Sequence, residues 1–181
     1  MGRALRRTLA AAGVTAVVAT GGGVAVAGSS PTLSTAGPVS VTGTEASGVF
    51  TVADRTVRQI RYADQGTLRY TFTLSNEGRL PVTVAGLEPD QIDPRLFDLV
   101  GLTTATLSPG GSGDFTLTLD MNGCESLSSR SGSFVSEVVV RTRQAGMFDD
   151  TVTIALPEEI HTGSPREAFC PESTATSRPQ G

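Results

Sequence analysis

From Gly48 onward, apolar and polar residues alternate along much of the chain with a period of two, the spacing that sends successive side chains to opposite faces of a strand. Leu68, Tyr70, Phe72 and Leu74 interleave with Arg69, Thr71, Thr73 and Ser75, which predicts a half-buried strand. Val49 to Val52 and Val57 to Tyr62 read as shorter strands. Val82 and Val84 resume the alternation after Pro81, whose missing N–H suits a strand start or a sheet edge. Thr103 to Leu107 and a run carrying Phe115, Leu117 and Leu119 follow. Asn76-Glu77-Gly78-Arg79 and Ser108-Pro109-Gly110-Gly111-Ser112-Gly113 have the composition of turns. Asp93-Pro94-Arg95-Leu96-Phe97 predicts one helical turn, with Asp93 as its cap and proline at the first position.

The last two strands permit a register. With Gln144-Ala145-Gly146 as a hairpin loop and Gly146 supplying positive φ, Val138 faces Val152, Ser136 faces Ile154 and Phe134 faces Leu156. The same register sets Arg141 opposite Asp149 and leaves Asp150 at the inner rim. Seven or eight short strands separated by turns, with no long amphipathic helix among them, predict an all-β chain folded as an antiparallel β-sandwich.

The first 27 residues follow a different pattern. Arg3, Arg6 and Arg7 precede an apolar run from Leu9 to Val26, and Ala25-Val26-Ala27 places small residues where a signal peptidase needs them. An N-terminal signal helix over 1–27 is expected, cut between Ala27 and Gly28, which makes the chain secreted or extracytoplasmic. The alternative is an uncleaved helix over 5–26 that displays the rest outside the membrane. Gly21-Gly22-Gly23 and the many alanines weaken that alternative, because glycine disfavours helix and neither residue partitions strongly into lipid. Residues 28–47, rich in Gly, Ser, Thr and Pro, read as a flexible linker. The sandwich is assigned to 48–171 and a disordered tail to 172–181.

Composition narrows the partners. The formal net charge is −4 and every basic residue is arginine. An acidic surface repels phosphate backbones, so nucleic acid is not expected, and the membrane enters only if the N-terminal helix is retained. Cys124 and Cys170 are the only cysteines, and an even pair in an exported chain reads as a disulfide. That bond would close a loop of about 46 residues and staple the carboxy-terminal segment to the domain.

The stretch Tyr70-Thr71-Phe72-Thr73-Leu74-Ser75-Asn76-Glu77-Gly78, with Pro81-Val82-Thr83-Val84 and Leu107-Ser108-Pro109-Gly110, resembles bacterial immunoglobulin-like domains exported to the cell envelope. The likeness covers roughly residues 48 to 157. It implies an immunoglobulin-like sandwich and carries over no binding residue, since its motifs are turns. The chain departs from antibody-type domains in having no tryptophan and in placing its cysteines late.

Catalytic sets are scarce. His161 is the single histidine and sits in a segment with Gly, Ser and Pro, which reads as an exposed loop residue. One imidazole and no G-x-S-x-G elbow leave little to activate a nucleophile. The histidine, cysteine and methionine content does not supply a copper or zinc ligand set. Glu88, Asp90, Asp93 and Asp98 cluster around one loop and are the calcium candidates, with Asp149-Asp150 and Asp120-x-Asn122 behind them, although no spacing matches a defined calcium loop. The expectation is therefore a secreted, non-enzymatic β-sandwich without cofactor. It would serve as a binding or accessory module for an envelope or extracellular protein, the alternative class being an enzyme or metal carrier whose site the sequence does not reveal.

Overall fold

A computed structural model of the chain describes residues 30–61, 65–91, 97–121 and 133–162. Within them ten strands form: β1 (Leu33–Thr42), β2 (Ala46–Val52), β3 (Arg55–Arg61), β4 (Gly66–Asn76), β5 (Val82–Leu87), β6 (Asp98–Leu102), β7 (Ala105–Leu107), β8 (Ser112–Met121), β9 (Ser133–Gln144) and β10 (Phe148–Thr162). They make a four-stranded sheet in the order β1-β4-β8-β6 and a six-stranded sheet in the order β2-β3-β10-β9-β5-β7.

The alternation in β4 sets the core. Leu68, Tyr70, Phe72 and Leu74 point inward and are fully buried, opposite Leu119, Leu117, Phe115 and Gly113 of β8. Val138, Val140, Ile154, Leu156 and Ile160 meet them from the six-stranded sheet. On the outer face of β4 and β8, polar side chains pair across the strands: Thr71 with Thr116 at 2.9 Å, and Thr73 donating to Asp114 at 3.1 Å. Such cross-strand pairs each add a fraction of a kcal/mol, about 0.2–1, whereas each inward aromatic or leucine contributes about 1.5–3 kcal/mol by leaving water. The inner face holds the sandwich together.

One end is clasped by a single buried amide. Asn76 Nδ2 donates to the carbonyls of Leu80 (2.8 Å), Leu107 (3.2 Å) and Ser108 (3.2 Å), and Oδ1 accepts from the Gly78 N–H at 3.0 Å. The turn anticipated at Asn76-Glu77-Gly78-Arg79 is thus also where both turn motifs are tied together.

Several expectations are corrected. Residues 28–47 are not a linker throughout: Leu33–Thr42 pair with β4, and β2 begins at Ala46. As an edge strand, β1 needs only Leu33 and Val41 to pack against the core. The six-stranded sheet is mixed rather than antiparallel, because Glu159–Thr162 of β10 run parallel to Val57–Ile60 of β3. The β9–β10 register differs by two residues from the expected one: Val138 faces Ile154, Val140 faces Val152, and Arg143 rather than Arg141 faces Asp149. A shift of two preserves the faces, so the apolar sides still match. The loop is Ala145-Gly146-Met147, with φ of 51° at Ala145 and 72° at Gly146 and a 3.1 Å bond from the Met147 N–H to the Gln144 carbonyl. The expected pairing of Phe134 with Leu156 also gives way, Phe134 facing His161, because the register shifts between Ala155 and Ile160, where Pro157 cannot donate to the ladder.

The segment expected to be a signal, both cysteines, residues 93–96 of the expected helical turn and the segment expected to be a tail lie outside the described residues. Among the described residues no helix is long and apolar enough to cross a membrane.

Candidate functional site

Among the described residues Glu158 is the most buried charged group. It shares the inward phase of Ile154, Leu156 and Ile160 along β10, and Arg58 of β3 reaches it with Nε–Oε2 at 2.6 Å and Nη2–Oε1 at 3.2 Å. The two side chains keep only 15% and 7% of their surface exposed. Tyr70 crosses from the other sheet, its hydroxyl 3.5 Å from Glu158 Oε2, and Arg58 Nη1 also donates to Ser47 Oγ at 3.3 Å. Burial first, and the nearby Glu158 carboxylate second, hold the Tyr70 phenol well above its ordinary value. The group joins β3, β10 and β4 at the one parallel pairing among the described residues. Its polar atoms are spent on one another, so its chemistry is that of a clamp.

The outer face of the same seam carries a second row. Arg55 Nη1 bonds Glu159 Oε2 at 2.8 Å. His161, anticipated in a loop, lies instead in β10, with Nδ1 2.8 Å from Gln59 Oε1 and its ring 6.5 Å from that of Phe134. The strand continues past Pro157 because Glu159–Thr162 find a new partner in β3, a long-range pairing that local composition does not announce.

A shallow groove of about 630 Å³ runs over β5, β9 and β10 and is lined by Thr83, Ala85, Glu88, Arg141, Arg143 and Asp149 among others. A bulge between Val84 and Gly86 opens it. Gly86 has φ of 118°, and a Cβ there would lie 3.8 Å from Arg141 Nη2. Arg141 Nε donates to the Leu87 carbonyl at 3.1 Å, while Arg143 grips Asp149 through Nε–Oδ1 at 2.7 Å and Nη2–Oδ2 at 3.1 Å. The Arg143 hydrogen bonds lower the Asp149 carboxyl below the usual carboxylate range. Two guanidiniums and three carboxylates of Glu88, Asp149 and Asp150 make this a polar, mixed-charge surface suited to hydrogen-bonded contact; its lining contains no histidine, cysteine or serine.

The calcium candidates are not brought into a ligand set by the described structure. Glu88 uses its backbone N–H on the Val139 carbonyl and its own carbonyl on Gln91, Asp90 lies beside it on the surface, and Asp93 falls outside the described residues. Asp98 faces Asp120 across β6 and β8, and Asp120 accepts from Thr67 Oγ1 at 2.9 Å. Among the described residues no group of three or more His, Cys, Asp or Glu side chains converges to hold a metal ion. Of the residues that matter most here, Arg58 and Glu158 carried no motif, and Tyr70 was marked only as a strand residue of the immunoglobulin-like stretch. The available hint was Glu158 between Pro157 and Ile160, a charge at an inward phase of a strand. No known protein family matches this sequence, and no curated protein does.

Proposed function

We propose that this chain is an exported, non-enzymatic β-sandwich that works by surface contact as an accessory or adhesion-like module of the cell envelope. The observation that carries the reading is the state of the buried ionisable cluster. Arg58, Glu158 and Tyr70 satisfy one another between the sheets, whereas a catalytic acid or base must keep a proton-transfer partner free for substrate. The basic, apolar and small-residue order of 1–27 supports export.

The strand order supports the immunoglobulin-like assignment. With β1, β4, β8 and β6 as one sheet, and β10, β9 and β5 adjacent in the other, the arrangement parallels the ABED and GFC sheets of that fold. Recognition surfaces of such sandwiches are loop tips, edge strands and open faces, and the Arg141–Arg143 groove is a polar face of this kind.

Cell fractionation combined with mass spectrometry of the chain's amino terminus tests the export half. A chain beginning at Gly28 and found outside the cytoplasm is expected; a full-length chain in soluble cytoplasm overturns the reading. Capture from envelope extracts tests the contact half, and recovery of nothing beyond a heat-denatured control counts against it.

A further inference from the structure

The sheet edges of this molecule are not alike. Unpaired backbone at an edge is a template for another strand, and folded proteins blunt it with short strands, proline, bulges or charge. β7 has three residues, and β6 has five with a register shift between Leu99 and Gly101. β1 contains Pro38 and a break between Ala36 and Ser40. The stretch of β10 that β3 does not cover carries Asp149 and Asp150. β2 has none of these devices: its seven residues, Ala46-Ser47-Gly48-Val49-Phe50-Thr51-Val52, pair with β3 without interruption, contain no charge and no proline, and are all exposed. Val49, Phe50 and Val52 keep 50%, 46% and 44% of their surface in water.

We infer that β2 is the dimerisation strand of this protein, adding antiparallel to β2 of a second copy about a two-fold axis at Val49. The hydrogen-bond phase fixes which registers are allowed. The two-residue loop Ala53-Asp54 makes Val52 and Arg55 the closing hydrogen-bonded pair, so the N–H and C=O groups of Ser47, Val49 and Thr51 point away from β3, toward the open edge. Among registers that join those groups, the one centred on Val49 overlaps all seven residues.

The same register is complementary in its side chains. Phe50 falls opposite Gly48 of the second copy, Val52 opposite Ala46, and Thr51 opposite Ser47. Phe50 and Val52 therefore each meet a small residue, Val49 meets its own copy on the axis, and the hydroxyl residues meet each other. A Cβ on Gly48 would find no atom within 4 Å, and a groove of about 270 Å³ lined by Ala46, Ser47, Gly48, Gln59, Ile60 and Arg61 lies where the incoming Phe50 and Val52 arrive. Charge agrees with this: the flanking Glu45 comes opposite Ala53, and Asp54 opposite Thr44, so no like charges meet across the axis. An isologous two-fold contact requires a self-complementary patch, and these seven residues supply one.

The test is the mass of the full chain in solution, by sedimentation equilibrium from micromolar to millimolar concentration. The native chain is expected to reach twice the monomer mass. Val49→Lys and Val49→Glu, which place like charges on the axis, are each expected to halve it, and an equimolar mixture of the two to restore it. Val100→Lys, the same change on the exposed surface of the β6 edge, keeps the doubled mass. Unchanged far-ultraviolet circular dichroism shows that the Val49 variants fold. A native chain that stays monomeric throughout overturns the inference, as does a dimer that persists in both Val49 variants or a mixture that fails to reassociate.

Discussion

The six-stranded sheet holds two bidentate arginine–carboxylate pairs of nearly the same geometry in opposite surroundings. Arg58–Glu158 sits at the parallel seam with side chains 15% and 7% exposed, while Arg143–Asp149 sits at the β9–β10 hairpin with 54% and 69% exposed. Contact distances of 2.6 and 2.7 Å do not distinguish them. Water does. At the hairpin the ions remain solvated and screened, so forming the pair changes little. At the seam both ions have given up hydration, and each now depends on the other. The lesson concerns vulnerability: the buried pair marks where the fold breaks if one partner is removed, and the exposed pair marks a surface free to engage something else.

The largest expected effect tests that contrast directly. Glu158→Ala leaves Arg58 and Tyr70 without their common acceptor and is expected to cost about 3 kcal/mol, measured by urea denaturation. A loss no greater than that of Asp149→Ala would erase the distinction. Replacing both Arg58 and Glu158 by methionine removes the charges together. It is expected to bring stability back to within about 1 kcal/mol of the native chain, because the penalty belongs to the orphaned ion more than to the missing attraction.

Tyr70→Phe sharpens the picture at alkaline pH. The folded state holds the phenol proton above its ordinary value of 10.0. Its contribution is therefore complete below that pH and is lost as pH rises through and beyond it. The substitution is expected to cost about 0.5–1 kcal/mol at neutral pH and to flatten the fall in stability above pH 10, followed by denaturation across an alkaline series.

At the hairpin, backbone geometry outweighs charge. Ala145→Gly removes a side chain from φ of 51° and is expected to stabilise by about 0.5 kcal/mol. Asp149→Ala gives the smallest effect. Its lowered carboxyl contributes above its ordinary titration range and loses that contribution as pH falls, yet the group is largely exposed, and its melting curve is expected to overlay that of the native chain.

Where burial and alternation coincide, the strands could be read directly: Leu68 to Leu74 and Phe115 to Leu119 each show one phase over several residues, and both are central strands. β1 was hidden by its composition, because an edge strand over a core needs few apolar side chains. β6 was hidden by its bulge, which puts Leu99 and Leu102 out of phase while both face inward. The hairpin was placed on the correct faces but two residues out of register. Alternation constrains parity, whereas the turn that selects among equal parities depends on positive φ at Ala145, a residue that seldom adopts it.

The sequence by itself determined that this is an all-β chain with alternating strands, turn residues between them, and a first segment unlike the rest. These are properties of neighbouring residues and follow from local periodicity and backbone preference. Only the tertiary structure decided that β3 lies parallel to β10, that Arg58 and Tyr70 are the groups that meet Glu158, and that β2 stands at an unguarded edge. Those outcomes depend on which surfaces remain to be covered once the central strands have paired, a choice made between segments about a hundred positions apart for Arg58 and Glu158.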